Sequence, residues 1–271
     1  MEATILVLGA VVFVFGIVSV LYGTFGRKER RHHSQSEEVM GRVLSINGLA
    51  VPDDFPADQF EAVYTKLGST YGGRDEYRVF IIGALNAIAY RFTALAEYDE
   101  SFRALIAAHG TGPGQPFRHR QERDLFGFFS NVFSVFEALC FALFAIGALS
   151  TASAKFPLAT NDDERKVSWG KMRETYRSAF PADPILNVLD NIAKDFAFEE
   201  LRDIRNILTH RAVGARSFEV SAGSSTRPET TTIDRLNISL DATTTASRRR
   251  DVVRLLLLGL NATHKFAEAR L

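Results

Sequence analysis

Residues 125–149 read LFGFFSNVFSVFEALCFALFAIGAL and contain seven of the 22 phenylalanines of this 271-residue chain. A helix of this length could cross a bilayer, and the basic residues that precede it would suit a membrane span. Ser130, Ser134 and Glu137, however, recur at intervals of four and three and therefore share one face of a helix. A charged Glu137 in lipid would cost several kcal/mol. The pattern favours a buried helix at the centre of a bundle, and a second membrane span is the alternative.

Helical periodicity continues on the N-terminal side of this segment. Apolar side chains recur at three and four residues along residues 75–108, which predicts a long helix, and residues 57–67 predict a shorter one. The sequence GTGPGQP at residues 110–116 is rich in helix breakers. It predicts a boundary between a helical extension, residues 57–112, and a helical domain, residues 117–271.

The C-terminal half predicts further helices and one β element. Three helices are predicted, at residues 168–180, 185–213 and 248–270. The second of them is expected to be kinked near Lys194. Residues 217–221 and 231–240 carry β-branched side chains on either side of a turn that contains Gly, Ser and Pro. This composition predicts a small β-hairpin. The expected fold class is therefore all-α, with a small β-hairpin insertion.

The N-terminal residues 3–25 contain no charged residue, and at about 1.5 Å per residue such a helix spans a bilayer core of ~30 Å. Lys and Arg residues follow at positions 27, 28, 30 and 31. The positive-inside rule then places the N-terminus outside and the rest of the chain in the cytoplasm. A cleaved signal peptide is the alternative, but it would have basic residues before a shorter apolar core. We expect a single-pass transmembrane anchor over residues 1–26 and a juxtamembrane linker over residues 27–56.

Charge and cysteine content limit the possible kinds of site. Lys plus Arg and Asp plus Glu both number 32, so no overall positive field favours nucleic acid, and any contact with RNA must use a local patch. Cys140 is the only cysteine, which excludes an intramolecular disulfide and a cysteine-based zinc site. Because the sequence also lacks an HExxH or paired acidic motif, we expect no metal and no cofactor.

Residues 201–211 read LRDIRNILTHR and predict an amphipathic helix. Its apolar residues recur at three and four and would pack inward. Arg202, Asn206 and His210 follow one another at intervals of four and share a different face. Arg205 lies about 100° around the helix from Asn206, at one side of that face. The sequence therefore predicts a cluster of guanidinium, amide and imidazole groups near one helix end.

These three groups suit phosphodiester chemistry. An imidazole can accept or donate a proton near neutral pH, and a guanidinium can bind two phosphate oxygens as charge develops in the transition state. The amide would orient either partner, and the reaction needs no metal if the nucleophile is the 2′-OH of RNA. The same residues would also suit a solvated C-terminal helix end, where cations interact favourably with the helix dipole.

The sequence Arg205-Asn206-Ile207-Leu208-Thr209-His210 resembles the Rx4–6H motif of the HEPN superfamily, including the polar residue that commonly follows the arginine. The resemblance covers residues 118–271 and implies an all-α, HEPN-like helical bundle behind the N-terminal transmembrane helix. Many HEPN proteins are metal-independent endoribonucleases of defence and toxin systems, in which two motifs face each other across a dimer to form one site. The anchor, the helices before Gly110 and the β insertion are not features of the family.

By this resemblance, His210 would act as general acid or base, Arg205 would stabilise the transition state and Asn206 would position them. Glu137, on the neighbouring helix, would support the site by orienting His210 or Arg205. The expected function is a membrane-anchored endoribonuclease that cuts RNA as a homodimer in the cytoplasm, in defence or stress response. The alternative is a non-catalytic, membrane-anchored interaction module of HEPN type that binds a protein partner or an activator.

Overall fold

A computed structural model describes residues 45–46, 48–70, 75–210, 216–219, 230–233 and 238–271. The predicted anchor, residues 1–26, lies outside the described residues, as does the linker up to residue 44. Within these ranges the chain forms eight α-helices and five short strands. The protein is therefore predominantly helical, which confirms the all-α class.

The first three helices are α1 Ala57–Gly68, α2 Asp75–His109 and α3 Gln115–Leu149, and α2 and α3 form the central pair of the molecule. A short loop that begins at Gly110 joins α2 to α3. The Phe80 ring of α2 lies against Phe141 of α3, with ring centres 6.0 Å apart, and nearer the loop Ser101 donates a hydrogen bond to Asp124. The two helices therefore run antiparallel and pack against each other along their length.

Two of the described helices, over Tyr77–His109 and Gln115–Leu149, are long and apolar enough to cross a membrane by length and composition. In the most apolar window of the second, 72% of the residues are buried inside the protein, as expected for a core helix. The polar face of this helix differs from the prediction. Ser130 and Ser134 are half-buried and Glu137 is exposed, so the polar face lies at the surface of the bundle, not at its centre.

The remaining helices surround this pair: α4 Asn161–Lys166, α5 Trp169–Ala179, α6 Ile185–Lys194, α7 Phe196–His210 and α8 Thr243–Arg270, with a 3₁₀ turn at Ser153–Lys155. The prediction of one continuous helix over residues 185–213 is wrong, because α6 and α7 are separate helices, but the break falls next to Lys194, where the kink was predicted. Asp195 between them has an extended backbone, and its Oδ1 accepts a hydrogen bond from the backbone N–H of Ala197 at 2.9 Å. A carboxylate in this position starts a new helix instead of continuing the old one.

The strands form two small antiparallel sheets. β1 Ser45–Ile46 pairs with β2 Leu49–Ala50, and β3 Arg216–Glu219, β4 Thr230–Ile233 and β5 Ile238–Ser239 form a three-stranded sheet in that order. The predicted hairpin is therefore a meander, because the β-branched segment 231–240 contributes two strands rather than one.

A single hydrophobic core extends through the described residues and includes side chains of α1 and α2 as well as those of the C-terminal helices. Near the C-terminal end of α3, the rings of Phe156 and Phe266 lie 5.2 Å and 5.1 Å from that of Tyr176. The Tyr176 hydroxyl donates a hydrogen bond to the carbonyl of Leu143 at 2.6 Å. The described helices on both sides of the Gly110 loop belong to one compact unit.

Gly147 of α3 provides a test of this packing. A Cβ at this position would overlap the ring of Phe156, which is fully buried among other aromatic rings. We therefore expect Gly147→Ala to lower the free energy of unfolding by about 1–3 kcal/mol. The matched control is Gly83→Ala in α2, where a Cβ meets nothing within 4 Å and should stabilise by up to about 1 kcal/mol. Urea unfolding followed by circular dichroism compares the two, and a stabilising Gly147→Ala would contradict the packing.

Candidate functional site

Helix α7 carries the predicted motif and is held against α3 by its apolar face. Phe198, Leu201 and Ile204 are buried on that face. The ring of Phe198 lies 5.2 Å from that of Phe136 on α3, in an edge-on arrangement. This packing places the polar face of α7 beside the exposed polar face of α3.

The first turn of α7 is fixed by an ion pair with the last helix. Arg254 of α8 donates hydrogen bonds to both carboxylate oxygens of Asp195, at 2.8 Å and 3.0 Å. These bonds, together with the backbone N–H groups of Ala197 and Phe198, lower the pKa of Asp195 below its ordinary value, against the opposing effect of burial. Asp195 is thus an ionised helix cap at neutral pH, and it fixes the N-terminal end of α7 relative to α8.

Three side chains among the described residues contact Arg205. Its Nη2 lies 3.7 Å from Oε1 of Glu137, its guanidinium carbon lies 5.1 Å from the ring centre of Phe133, and its Nη1 donates to Oδ1 of Asn206 at 3.2 Å. The Arg205 side chain is 29% exposed and that of Glu137 is 53% exposed. An ion pair this long and this exposed contributes at most about 1 kcal/mol, so a phosphate can compete with Glu137 for the guanidinium.

The structure therefore brings together three of the four predicted site residues, namely Arg205, Asn206 and Glu137. His210 is the last residue of α7, and its side chain lies outside the described residues. Its backbone position is one helical turn beyond Asn206, on the same face of the helix. The predicted interaction of the His210 imidazole with Arg205 or Glu137 stays a prediction.

A cavity of about 580 Å³ opens beside Arg205 and was not predicted from the sequence. It is bounded by α3, α5, α7 and the end of α6. Its walls are formed largely by five aromatic side chains: Phe133, Phe136, Phe141, Trp169 and Phe198. Its volume falls within the ~300–1,000 Å³ that small-molecule sites occupy. Each ring has the helical spacing of an ordinary core residue, so periodicity alone cannot identify it as a cavity wall.

Three charged side chains also line the cavity: Glu137, Arg173 and Arg202. Arg173 is engaged by Asp190 of α6, to which its Nε donates at 2.8 Å. This pairing, with help from Arg177, lowers the pKa of Asp190. Among the described residues, Arg202 contacts Asp203 through Nε at a long 3.4 Å. Arg202 is therefore the arginine of the cavity that can more readily bind a ligand.

Two further groups in the cavity wall bear on its chemistry. The Trp169 Nε1 atom is buried and has no hydrogen-bond acceptor among the described residues. Cys140 is also buried; burial, with a smaller effect from Glu137, raises the pKa of its thiol to about 12. The thiol is thus protonated at neutral pH and does not act as a nucleophile. The described residues contain no group of three or more His, Cys, Asp or Glu placed to hold a metal ion.

Comparisons of the chain with protein-family models, with curated proteins and with solved structures gave no match. The resemblance to the HEPN superfamily therefore rests on residues 205–210 and on their helical surroundings, and membership of that family stays a prediction.

Proposed function

We propose that this protein is a membrane-anchored, metal-independent endoribonuclease of the HEPN type. The observation that carries the proposal is the arrangement of Arg205 and Asn206 on an accessible face of α7, one turn before His210 and next to a concave aromatic surface. Glu137 and Phe133 orient the guanidinium without burying it. A phosphate bound there would lie within reach of a side chain at position 210.

In the proposed reaction, the 2′-OH of one nucleotide attacks the adjacent phosphorus while an imidazole accepts its proton. The bond from phosphorus to the 5′-oxygen breaks, and a second imidazole donates a proton to that leaving oxygen. Arg205 stabilises the charge on the phosphate oxygens in the transition state. Because one motif supplies only one imidazole, we propose a homodimer in which two copies of α7 share one RNA strand.

The membrane location belongs to the same proposal. Residues 3–25 and the basic flank after them would hold the nuclease at the cytoplasmic face, where RNA is present. A role in defence or stress response follows from the resemblance to HEPN proteins, many of which act in such systems. An activator that releases or aligns the dimer would fit this role.

The test uses the full chain in detergent micelles with single-stranded RNA in the presence of EDTA. We expect cleavage products that end in a 2′,3′-cyclic phosphate and a 5′-hydroxyl, because the proposed nucleophile belongs to the RNA itself. The same oligonucleotide with 2′-deoxyribose throughout is the control and should stay intact. Cleavage that requires a divalent ion, or that also cuts the deoxy control, would contradict the proposed mechanism.

A second candidate is a non-catalytic interaction module that binds a protein partner through the same bundle. The specific observation in its favour is Glu137, whose exposed carboxylate beside Arg205 repels phosphate as well as orienting the guanidinium. Zero formal net charge agrees with this alternative. A folded, dimeric chain that leaves RNA intact in the assay above would favour the interaction module.

A further inference from the structure

We infer that the cavity beside Arg205 binds a guanine base of the RNA substrate, next to the phosphate that is cut. The inference rests on the proposed nuclease function and adds to it a base specificity. It is carried by the cavity's aromatic walls, by its single carboxylate and by its position relative to the motif.

The walls of the cavity suit a flat ring. The rings of Trp169 and Phe198 have centres 5.2 Å apart with planes inclined by 40°, and Phe133 lies 6.2 Å from Phe198 at 37°. These rings touch one another and form one continuous aromatic surface, and unstacked RNA bases commonly stack against such a surface. A volume of about 580 Å³ accommodates a purine together with its ribose.

The charges in the cavity limit the kind of ring that fits. Arg173 and Arg202 both line it; the charge of Arg173 is paired with Asp190, and the guanidinium of Arg202 opposes a cationic ligand. Glu137 is the one carboxylate among the lining residues, and an ionised carboxylate only accepts hydrogen bonds. The ligand expected from this combination is a neutral aromatic ring that offers hydrogen-bond donors.

Among the four RNA bases, guanine matches this carboxylate best. Its Watson–Crick edge presents two adjacent donors, N1–H and the N2 amino group, which can bind the two oxygens of Glu137. Adenine and cytosine each place a ring acceptor beside their amino donor, and uracil places two carbonyl acceptors beside its single N–H. A site built to accept two hydrogen bonds discriminates strongly against bases that cannot donate both.

The cavity also lies at the right place for a nucleotide next to the cut. Glu137 lines it, and Oε1 of the same side chain lies 3.7 Å from Nη2 of Arg205. Arg202 lines the cavity and lies one turn before Asn206 on α7. A base held by Glu137 would thus direct its own phosphates toward Arg202 and Arg205.

The sole tryptophan of the chain, Trp169, provides a direct readout. The full chain in a non-absorbing detergent is titrated with GMP, AMP, CMP and UMP while tryptophan fluorescence is followed. We expect GMP to quench the fluorescence saturably, with a dissociation constant at least about tenfold lower than that of each of the other three nucleotides. Equal affinity for all four nucleotides, or no saturable quenching by GMP, would overturn the inference.

Two matched variants locate the binding site. Glu137→Gln keeps the shape of the side chain but replaces one acceptor by a donor, and it should weaken GMP binding at least about tenfold. Glu199→Gln makes the same change on the exposed surface of α7 and should leave binding unchanged. Circular dichroism establishes that both variants are folded. A Glu137→Gln variant that binds GMP as tightly as the parent chain would overturn the role of the carboxylate.

The cleavage sites distinguish a substrate pocket from a site for free nucleotide. An RNA of mixed sequence, cut under the conditions of the nuclease assay, should show products that begin or end predominantly at guanine. Cleavage without preference for guanine would overturn the inference and leave the nuclease proposal standing. Preferential GMP binding by a chain that cuts no RNA would contradict the nuclease, and with it the assignment of the pocket to a substrate base.

Discussion

Replacement of His210 by Ala is expected to lower the rate of RNA cleavage by at least about 10³-fold, because general acid–base catalysis by one positioned group contributes roughly 10²–10⁴-fold. In a homodimer the substitution removes both imidazoles of the shared site at once, so neither the 2′-OH nor the leaving oxygen has a proton-transfer partner. Arg205→Ala should cost about 10²–10³-fold, the usual loss when a charge-stabilising donor is removed. Initial rates on one labelled RNA measure both effects.

One control for this pair changes a histidine elsewhere in the fold, and the other is a conservative substitution at Arg205 itself. His264→Ala changes an imidazole on α8 that lies 3.7 Å from Glu268, and it should leave the rate within about twofold. Arg205→Lys retains the charge but loses the planar fork that binds two phosphate oxygens, so it should recover only part of the loss. A His210→Ala protein that cuts RNA at the parent rate would remove the motif from the mechanism and favour the interaction module.

The bounds of a helix could be predicted from the sequence where the apolar spacing ends at a helix breaker. Residues 57–67 and 75–108 were predicted as helices, and the structure gives Ala57–Gly68 and Asp75–His109, because apolar spacing and helix breakers coincide there. The join between α6 and α7 was predicted as a kink near Lys194 and not as a complete break, for a physical reason. The apolar spacing continues through Asp195, and the helix break depends on one carboxylate that caps α7 and pairs with Arg254, 59 residues away.

In the candidate site, too, the contacts between residues close in sequence could be predicted, and those between distant segments could not. Arg205 and Asn206 could be identified because they are neighbours on one helix turn, and their spacing alone places them together. The contact with Glu137 required the packing of α7 on α3, which the apolar face of α7 made plausible but did not define. The cavity could not be predicted, since its rings come from three helices and each ring has the pattern of a core residue.

Arg216→Ala is expected to lower the free energy of unfolding by about 3–5 kcal/mol, because it removes one partner of a buried ion pair. The Arg216 side chain, in β3, is 1% exposed. Its Nη2 donates to Oε1 of Glu122 at 2.7 Å, and its Nη1 donates to Oε1 of Gln121 at 2.7 Å and to the carbonyl of Thr111 at 2.8 Å. The Arg216 guanidinium thus links the three-stranded sheet by hydrogen bonds to the α2–α3 loop and to the first turns of α3.

The matched control is Arg118→Ala, since Arg118 faces the same carboxylate. Its Nε lies 3.9 Å from Oε1 of Glu122, and its side chain is 33% exposed, so the loss should stay below about 1 kcal/mol. Urea unfolding of the full chain in detergent, followed by circular dichroism, measures both variants. Equal losses for the two arginines would show that the buried hydrogen bonds add nothing beyond the charge of the pair.

A double substitution separates the net contribution of the ion pair to the free energy of unfolding from the penalty of leaving one partner unpaired. Arg216→Ala leaves the carboxylate of Glu122 and the amide oxygen of Gln121 without their buried donor, and such uncompensated groups account for most of the penalty. Arg216→Met combined with Glu122→Gln removes both charges while keeping similar volumes. We therefore expect the double variant to be at least about 1 kcal/mol more stable than Arg216→Met alone. A double variant that is less stable than Arg216→Met would show that Glu122 contributes to the fold independently of Arg216.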